Sequence, residues 1–147
     1  MKMISPWYYE GRPFEPPEDF GPDDYYGFVY CITNRGTDRK YIGKKFFWSK
    51  KTLPITKTRK RRKRLLVESD WRDYFGSNKH LNEEREKVGE DTYFREILHL
   101  CQSKGECAYL EAKEQFDREV LGSDKYYNGI INVRIGAKSV KNLFTND

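Results

Sequence analysis

Residues 27–47 constrain the fold more than any other stretch. Gly27-Phe28-Val29-Tyr30-Cys31-Ile32-Thr33 is a run of β-branched and aromatic residues, and Arg39-Lys40-Tyr41-Ile42-Gly43-Lys44-Lys45-Phe46-Phe47 is a second. Between them Asn34 to Asp38 supplies turn-forming residues. Two such runs joined by so short a connector read as a β-hairpin. A turn centred on Arg35 and Gly36 would set Tyr30 opposite Tyr41, both projecting from one face.

The rest of the chain supplies what a hairpin needs to be stable. Asn78 to Val88 reads as a short helix, with Ser77 or Asn78 as N-cap and Gly89 as terminator. Residues 92–100 fit a third strand. Lys104 to Leu121 is the strongest helix expectation: Tyr109, Ala112, Phe116 and Val120 recur at helical spacing, and Gly122 ends it. Residues 126–135 close the domain as a loop or short strand. The order β-β-α-β-α predicts an α+β fold, a small three-stranded mixed sheet flanked by helices. At 147 residues the chain fits one domain over residues 27–135, followed by a tail over 136–147. Residues 1–26 are rich in Pro, Gly and acids, so regular structure is not expected there. Trp7, Tyr8, Tyr9, Phe14 and Phe20 mark that segment as an extended arm packed over the body, because a free tail would carry fewer rings.

Charge placement points to the partner. The formal net charge is +5, but residues 50–64 hold nine Lys or Arg and no acid. Without those nine, 19 basic residues face 23 acidic ones, a net of −4. A concentrated basic block on a slightly acidic body is the footprint of a polyanion partner. This block makes residues 48–68 a basic insertion after the second strand. Lys57, Arg59, Lys60, Arg61, Arg62, Lys63 and Arg64 are its candidate nucleic-acid contacts, with Arg72 and Ser77 just beyond. Pro54 argues against a helix through the first half. A short helix over about 58–67 is expected only once a polyanion neutralises its charges. Trp48 and Trp71 flank the block as packing or stacking rings. Cys31, Cys101 and Cys107 lack C-x-x-C spacing, which predicts neither a disulfide frame nor a zinc site and suits a reducing cytoplasm. No apolar run approaches a membrane span and no secretory h-region is seen, so a cytoplasmic protein without membrane association is expected.

The ordered set of motifs resembles the GIY-YIG nuclease superfamily over roughly residues 27–132. Gly27-Phe28-Val29-Tyr30 is a displaced form of the first signature, and Tyr41-Ile42-Gly43 is an intact second one. The long helix followed by Tyr126-Tyr127-Asn128 is similar to the closing Glu-to-Asn stretch. Tyr-Ile-Gly-Lys-Lys followed by Asp70-Trp71-x-x-Tyr74-x-Gly76-Ser77 resembles the phage Seg-type members, small homing-endonuclease-like enzymes. The resemblance implies an endonuclease that hydrolyses DNA phosphodiesters with one divalent cation, Mg2+ or alternatively Mn2+. It implies Tyr30 as base, Tyr41 as a group orienting water or phosphate, Glu111 as metal ligand and Asn128 as a hydrogen-bonding brace. A phenol with an ordinary pKa near 10 needs a neighbouring cation or metal-bound water to serve as base. Glu114, one turn beyond Glu111, is the rival metal ligand. The family's Arg after Tyr-Ile-Gly has no clean equivalent. Lys45 shares the strand face of Tyr41 and can hold phosphate as a point charge, with Arg59, Arg61, Arg62 and Arg72 as rivals. His80 reads as a surface residue.

Duplex DNA is therefore the expected partner; the oligomeric state stays open between monomer and dimer. A module of the same fold that binds nucleic acid or a host protein without cutting is the second reading, favoured by the missing Arg. An RNA-binding basic protein is the third.

Overall fold

A computed structural model of the chain describes residues 5–58, 60, 61 and 63–144, with the Lys63 side chain outside that description. Short strands β1 (Tyr8–Tyr9) and β2 (Arg12–Pro13) come first, then β3 (Gly27–Asn34) and β4 (Arg39–Phe46). Strands β5 (Trp48–Leu53) and β6 (Lys63–Glu68) follow, then helix α1 (Lys79–Val88), strand β7 (Tyr93–Cys101), helix α2 (Lys104–Asp117) and the single turn α3 (Ala137–Val140). The class is α+β, as the sequence predicts, but the sheet has five strands in the order β2-β1-β7-β3-β4 rather than three. The two extra strands come from the arm. Glu10 and Gly11 both take positive φ (52° and 82°), the geometry of a two-residue hairpin turn, and β1 then pairs in parallel with β7. Glu-Gly is a weaker signal for that turn than Asn-Gly, so the arm reads as irregular in sequence.

β3 is buried on both faces, because alternate residues feed two separate cores. Phe28, Tyr30 and Ile32 join Trp7, Phe47, Trp71, Phe75 and Leu81 on one side. Val29 and Cys31 join Ile42, Cys101, Cys107 and Val120 on the other, under α2. All three cysteines are free thiols in buried positions. The arm is fastened from within. Trp7 donates its indole N–H to the Trp71 carbonyl at 2.7 Å. Arg95, buried between the Trp7 and Phe75 rings, donates to the carbonyls of Arg72, Tyr74 and Ser5.

The β3–β4 connection is longer than expected. Asn34 pairs with Arg39, leaving Arg35 to Asp38 as the loop; the Asp38 N–H donates to the Asn34 carbonyl at 2.7 Å, and Asp38 is left-handed (φ 61°). The register is therefore displaced by two residues. Tyr30 faces Gly43 and Tyr41 faces Ile32, so the two tyrosines are diagonal neighbours, with ring centroids 6.1 Å apart. A two-residue shift preserves the face, and both still project to the same side.

α1 is capped by Asn78, whose Oδ1 accepts from the Leu81 N–H, and ends at Gly89. α2 is capped by Ser103 and stops at Asp117, four residues before the expected end; a 3-10 turn over Val120–Gly122 continues the chain. The expected apolar stripe is only half inside. Ala112 and Val120 are buried, but Phe116 is 59% exposed and Tyr109 packs on Phe144 at the surface. The inner face carries Cys107, Glu106 and Gln115 instead. No strand forms over 126–135; Tyr126 makes only one parallel bridge to Lys40.

The basic insertion is a separate two-stranded antiparallel ribbon of β5 and β6, with Lys50 opposite Leu66 and Thr52 opposite Arg64. Residues 63–68, part of the stretch expected to turn helical only with a polyanion bound, are strand without one: Leu65 and Val67 alternate with Arg64 and Leu66 across the ribbon and pair with β5. Arg59 and Arg62 lie outside the described residues.

Candidate active site

A cleft of about 330 Å3 opens along the β4 edge of the sheet. β4 turns Tyr41 and Lys45 to one face and Lys44 to the other. The cleft lies where these meet the connector over residues 69–77 and the inner face of α2: Tyr30, Tyr41, Lys44, Lys45, Trp48, Ser69, Ser77 and Glu111 all line it. Four of the five expected catalytic residues thus converge on one hollow. The fifth, Asn128, stands behind it. Its side chain is buried, its Oδ1 accepts from the Ile42 N–H at 3.0 Å, and its Nδ2 donates to the Ile42 carbonyl at 2.8 Å. Gln115 donates to the same carbonyl at 3.1 Å. These bonds serve the free edge of β4 where another strand would otherwise pair.

The glycine of Tyr-Ile-Gly has a steric reason. A Cβ on Gly43 would lie 2.4 Å from the Tyr30 hydroxyl and 2.6 Å from its Cζ. Only a residue without a side chain lets the phenol cross the strand here. Gly76, with φ 87°, makes the corresponding approach from the facing loop. Beside it Tyr41 and Ser77 share a hydrogen bond of 3.3 Å between their hydroxyls. Asn78 takes the cap of α1, so Ser77 is left to the cleft.

The electrostatics differ from expectation at Tyr30. The ring is 1% exposed, and burial together with the neighbouring phenols of Tyr74 and Tyr41 and the Glu111 carboxylate pushes its pKa well above the ordinary value. Every protein group acting on it pushes upward, so a lowering would have to come from a bound cation. Tyr41 is also raised by burial, against a lowering hydrogen bond from Ser77. Both phenols therefore hold their protons at neutral pH in the cation-free protein.

Glu111 is the acid of the cleft. Burial raises its pKa, although Lys44, whose Nζ lies 3.1 Å from Oε1, pulls the other way. Glu114 is committed elsewhere: His99 Nε2 and Arg118 Nε each lie 2.8 Å from its carboxylate. Burial works against its charge, but the Arg118 and His99 bonds win and hold it below its ordinary value. Among the described residues no group of three or more His, Cys, Asp or Glu could cage a metal ion. Glu111 fits a looser site. Mg2+ commonly uses one or two carboxylates and keeps several waters, and the cleft has room for them beside a partly desolvated carboxylate.

Lysines, not arginines, are the cations here. Lys45 sits 4.2 Å over the Tyr74 ring and pairs with the exposed Asp70 at 2.6 Å. Arg72 lies outside the cleft, with its Nε on Glu68 at 3.1 Å and its guanidinium over Trp71. His80 is an exposed residue of α1. Lys57, Lys60, Arg61 and Arg64 are exposed on the ribbon and its loop. Lys44 and Tyr74 are site residues that the sequence reading places in its motifs but gives no role. Lys44 could have been found from the parity of β4, which turns the first lysine of Gly-Lys-Lys toward the helix bearing Glu111. For Tyr74 the motif marks the position, but its contacts with Tyr30 and Lys45 depend on the fold of the 69–77 connector.

One family model, described as "Putative endonuclease segE, GIY-YIG domain", matches residues 7–131. The chain belongs to the SegE-type GIY-YIG domain family. No curated protein and no solved structure matches it. The family match begins at Trp7, and so takes in the arm that supplies β1 and β2 as well as the hairpin, the ribbon and α2. No helix among the described residues is long and apolar enough to cross a membrane.

Proposed function

We propose that this SegE-type GIY-YIG protein is a DNA endonuclease that hydrolyses phosphodiester bonds of duplex DNA with a divalent cation, Mg2+ or Mn2+, held by Glu111. The convergence of Tyr30, Tyr41, Lys45, Ser77 and Glu111 on one cleft carries this reading. Such a cation supplies Lewis-acid stabilisation of the charge developing on the phosphate and lowers the pKa of nearby water and phenols. The chain's own groups divide the remaining work. Lys45 leaves Asp70 for the incoming phosphate, a small loss because an exposed pair contributes little. Tyr41 and Ser77 orient the attacking water and a phosphate oxygen through their hydroxyls. The Tyr30 oxygen would accept the proton of that water only as a phenolate, its own proton first released to solvent and the bound cation offsetting the upward push of burial and its neighbours. Asn128 keeps the Ile42 backbone, and with it the cleft wall, in place. The exposed cations of the ribbon hold the duplex backbone, so affinity falls steeply with salt.

Supercoiled plasmid incubated with Mg2+ or with EDTA tests the reading, beside Tyr30→Phe and Glu111→Ala variants. Cation-dependent nicking lost in both variants supports it. A plasmid shifted on a gel but uncut with every divalent ion overturns it in favour of a non-catalytic nucleic-acid-binding module. The Lys44–Glu111 ion pair is the observation that favours this second reading, since an ammonium already neutralises the one acid of the cleft.

A further inference from the structure

We infer that the β5–β6 ribbon enters the major groove of the duplex beside the scissile phosphate, and that its outer face selects where the cleft cuts. The inference rests on the nuclease reading for the word "cuts" and on geometry for the rest. The ribbon is rooted in the cleft: Trp48 and Ser49 at the start of β5, and Ser69 just past the end of β6, all line it. The root is fixed at both strands. The Trp48 indole N–H donates to the Tyr25 carbonyl at 3.0 Å, and Glu68 accepts from Trp71 Nε1 at 2.9 Å and Arg72 Nε at 3.1 Å. A duplex with one phosphate in the cleft must therefore run alongside the ribbon.

Dimensions choose the groove. Two paired strands stand about 5 Å apart before their side chains are added, and six residues of strand reach roughly 20 Å. A major groove about 12 Å wide admits such a ribbon, whereas a minor groove of about 6 Å does not. Chemistry agrees. By the strand register Lys50, Thr52, Arg64 and Leu66 share one face, and all four are exposed. Lysine and arginine donate to the guanine N7 and O6 acceptors, threonine pairs with several base edges, and an apolar side chain meets the thymine methyl. Leu66, 44% exposed among cations, covers nothing in the protein's core clusters and suits that last contact. Nor does the ribbon join the main sheet. A lone two-stranded hairpin is marginally stable in water, so a duplex on its outer face would also order it.

The test uses the full chain in two assays. In EDTA, complexes with a short mixed-sequence duplex are challenged with methyl green, which occupies the major groove, or distamycin, which occupies the minor groove. Displacement by methyl green and not by distamycin is expected. Displacement by distamycin alone, or by neither, overturns the groove assignment. In Mg2+, nick positions on a sequenced plasmid are compared between wild type and a Thr52→Ala/Leu66→Ser variant, whose charge is unchanged and whose substituted positions are both exposed. The variant should nick with a redistributed set of positions; an identical map overturns the role in site selection. If wild type does not nick at all, the nuclease reading and the site-selection role fall together, while the groove competition still decides where the ribbon lies.

Discussion

Replacing Gly43 by alanine tests the site geometry most directly, because two effects of opposite sign compete there. Glycine within a strand is disfavoured relative to alanine by roughly 0.5–1 kcal/mol, so an uncrowded Gly43→Ala would stabilise the protein. The new Cβ, however, would stand 2.4 Å from the Tyr30 hydroxyl and 2.6 Å from Cζ. Relief to ordinary contact needs a displacement of about 1 Å. The ring has little room to yield: Trp7, Tyr74, Tyr41 and Phe28 surround it at centroid distances of 5.3, 6.0, 6.1 and 6.0 Å. Overpacking of this kind costs about 1–3 kcal/mol, which outweighs the strand preference. Net of that preference up to about 2.5 kcal/mol remains, for a chain of this size a fall in Tm of up to roughly 10 °C. A displacement of about 1 Å in a positioned catalytic group costs on the order of 100-fold in rate. Thermal unfolding and plasmid nicking should therefore both report the substitution. Adding Tyr30→Phe removes the 2.4 Å contact but not the one at Cζ, so Tm should recover in part while nicking stays lost. Gly43→Ala with unchanged Tm and wild-type nicking would refute the close approach and the role built on it.

Four further outcomes are expected. Asn128→Ala strands the buried Ile42 N–H, costing about 1–3 kcal/mol by thermal unfolding, and nicking should fall by more than the unfolded fraction explains; equal losses would reduce Asn128 to a stability residue. Because burial raises the Glu111 pKa, its carboxylate is lost as pH falls through a value above the ordinary 4.5, so Mn2+ binding should weaken at a higher pH than for an exposed glutamate. Lys44→Met removes the ammonium that opposes this shift and should move the acid limb of Mn2+ binding to still higher pH; an unmoved limb would show that Lys44 does not act on Glu111. Arg95→Met deprives three backbone carbonyls of a charged donor and should lower stability by more than about 2 kcal/mol, with new proteolysis inside residues 7–20 as the local readout.

Much of this was legible in the sequence because local patterns set it. Strands β3, β4 and β7 carry β-branched and aromatic runs, and Asn78 and Gly89 bracket α1 as caps do. The cleft residues are legible as an ordered motif, and face parity carries Tyr30 and Tyr41 together even though the loop is two residues longer than the sequence predicts. The loop's true length hangs on Asp38 adopting a left-handed conformation, which aspartate tolerates without requiring. The ribbon was hidden because β5 and β6 carry cations where strand periodicity would show apolar residues, so their charge spoke louder than their spacing. The inner face of α2 was misjudged for a related reason: Gln115 and Glu106 are buried because they serve backbone groups of β4 and of the helix entry, and Phe116 is left outside. The burial of Gln115 depends on a partner 73 residues away in sequence.

The parallel seam between β1 and β7 sets an order of assembly. The β3–β4 hairpin joins neighbours and can close early, but Ser5 and Arg95, which help latch the arm, are 90 residues apart. During synthesis Tyr8 and Tyr9 of β1 emerge long before Glu96 and Ile97, the β7 residues they pair with, and must wait unpaired while the intervening chain is made. Until β7 arrives, the inner edge of β3 is also an open row of peptide groups, available to any extended segment nearby. Misassembly of a nascent or truncated chain should therefore begin at that seam, with the arm of one molecule lying against the sheet of another.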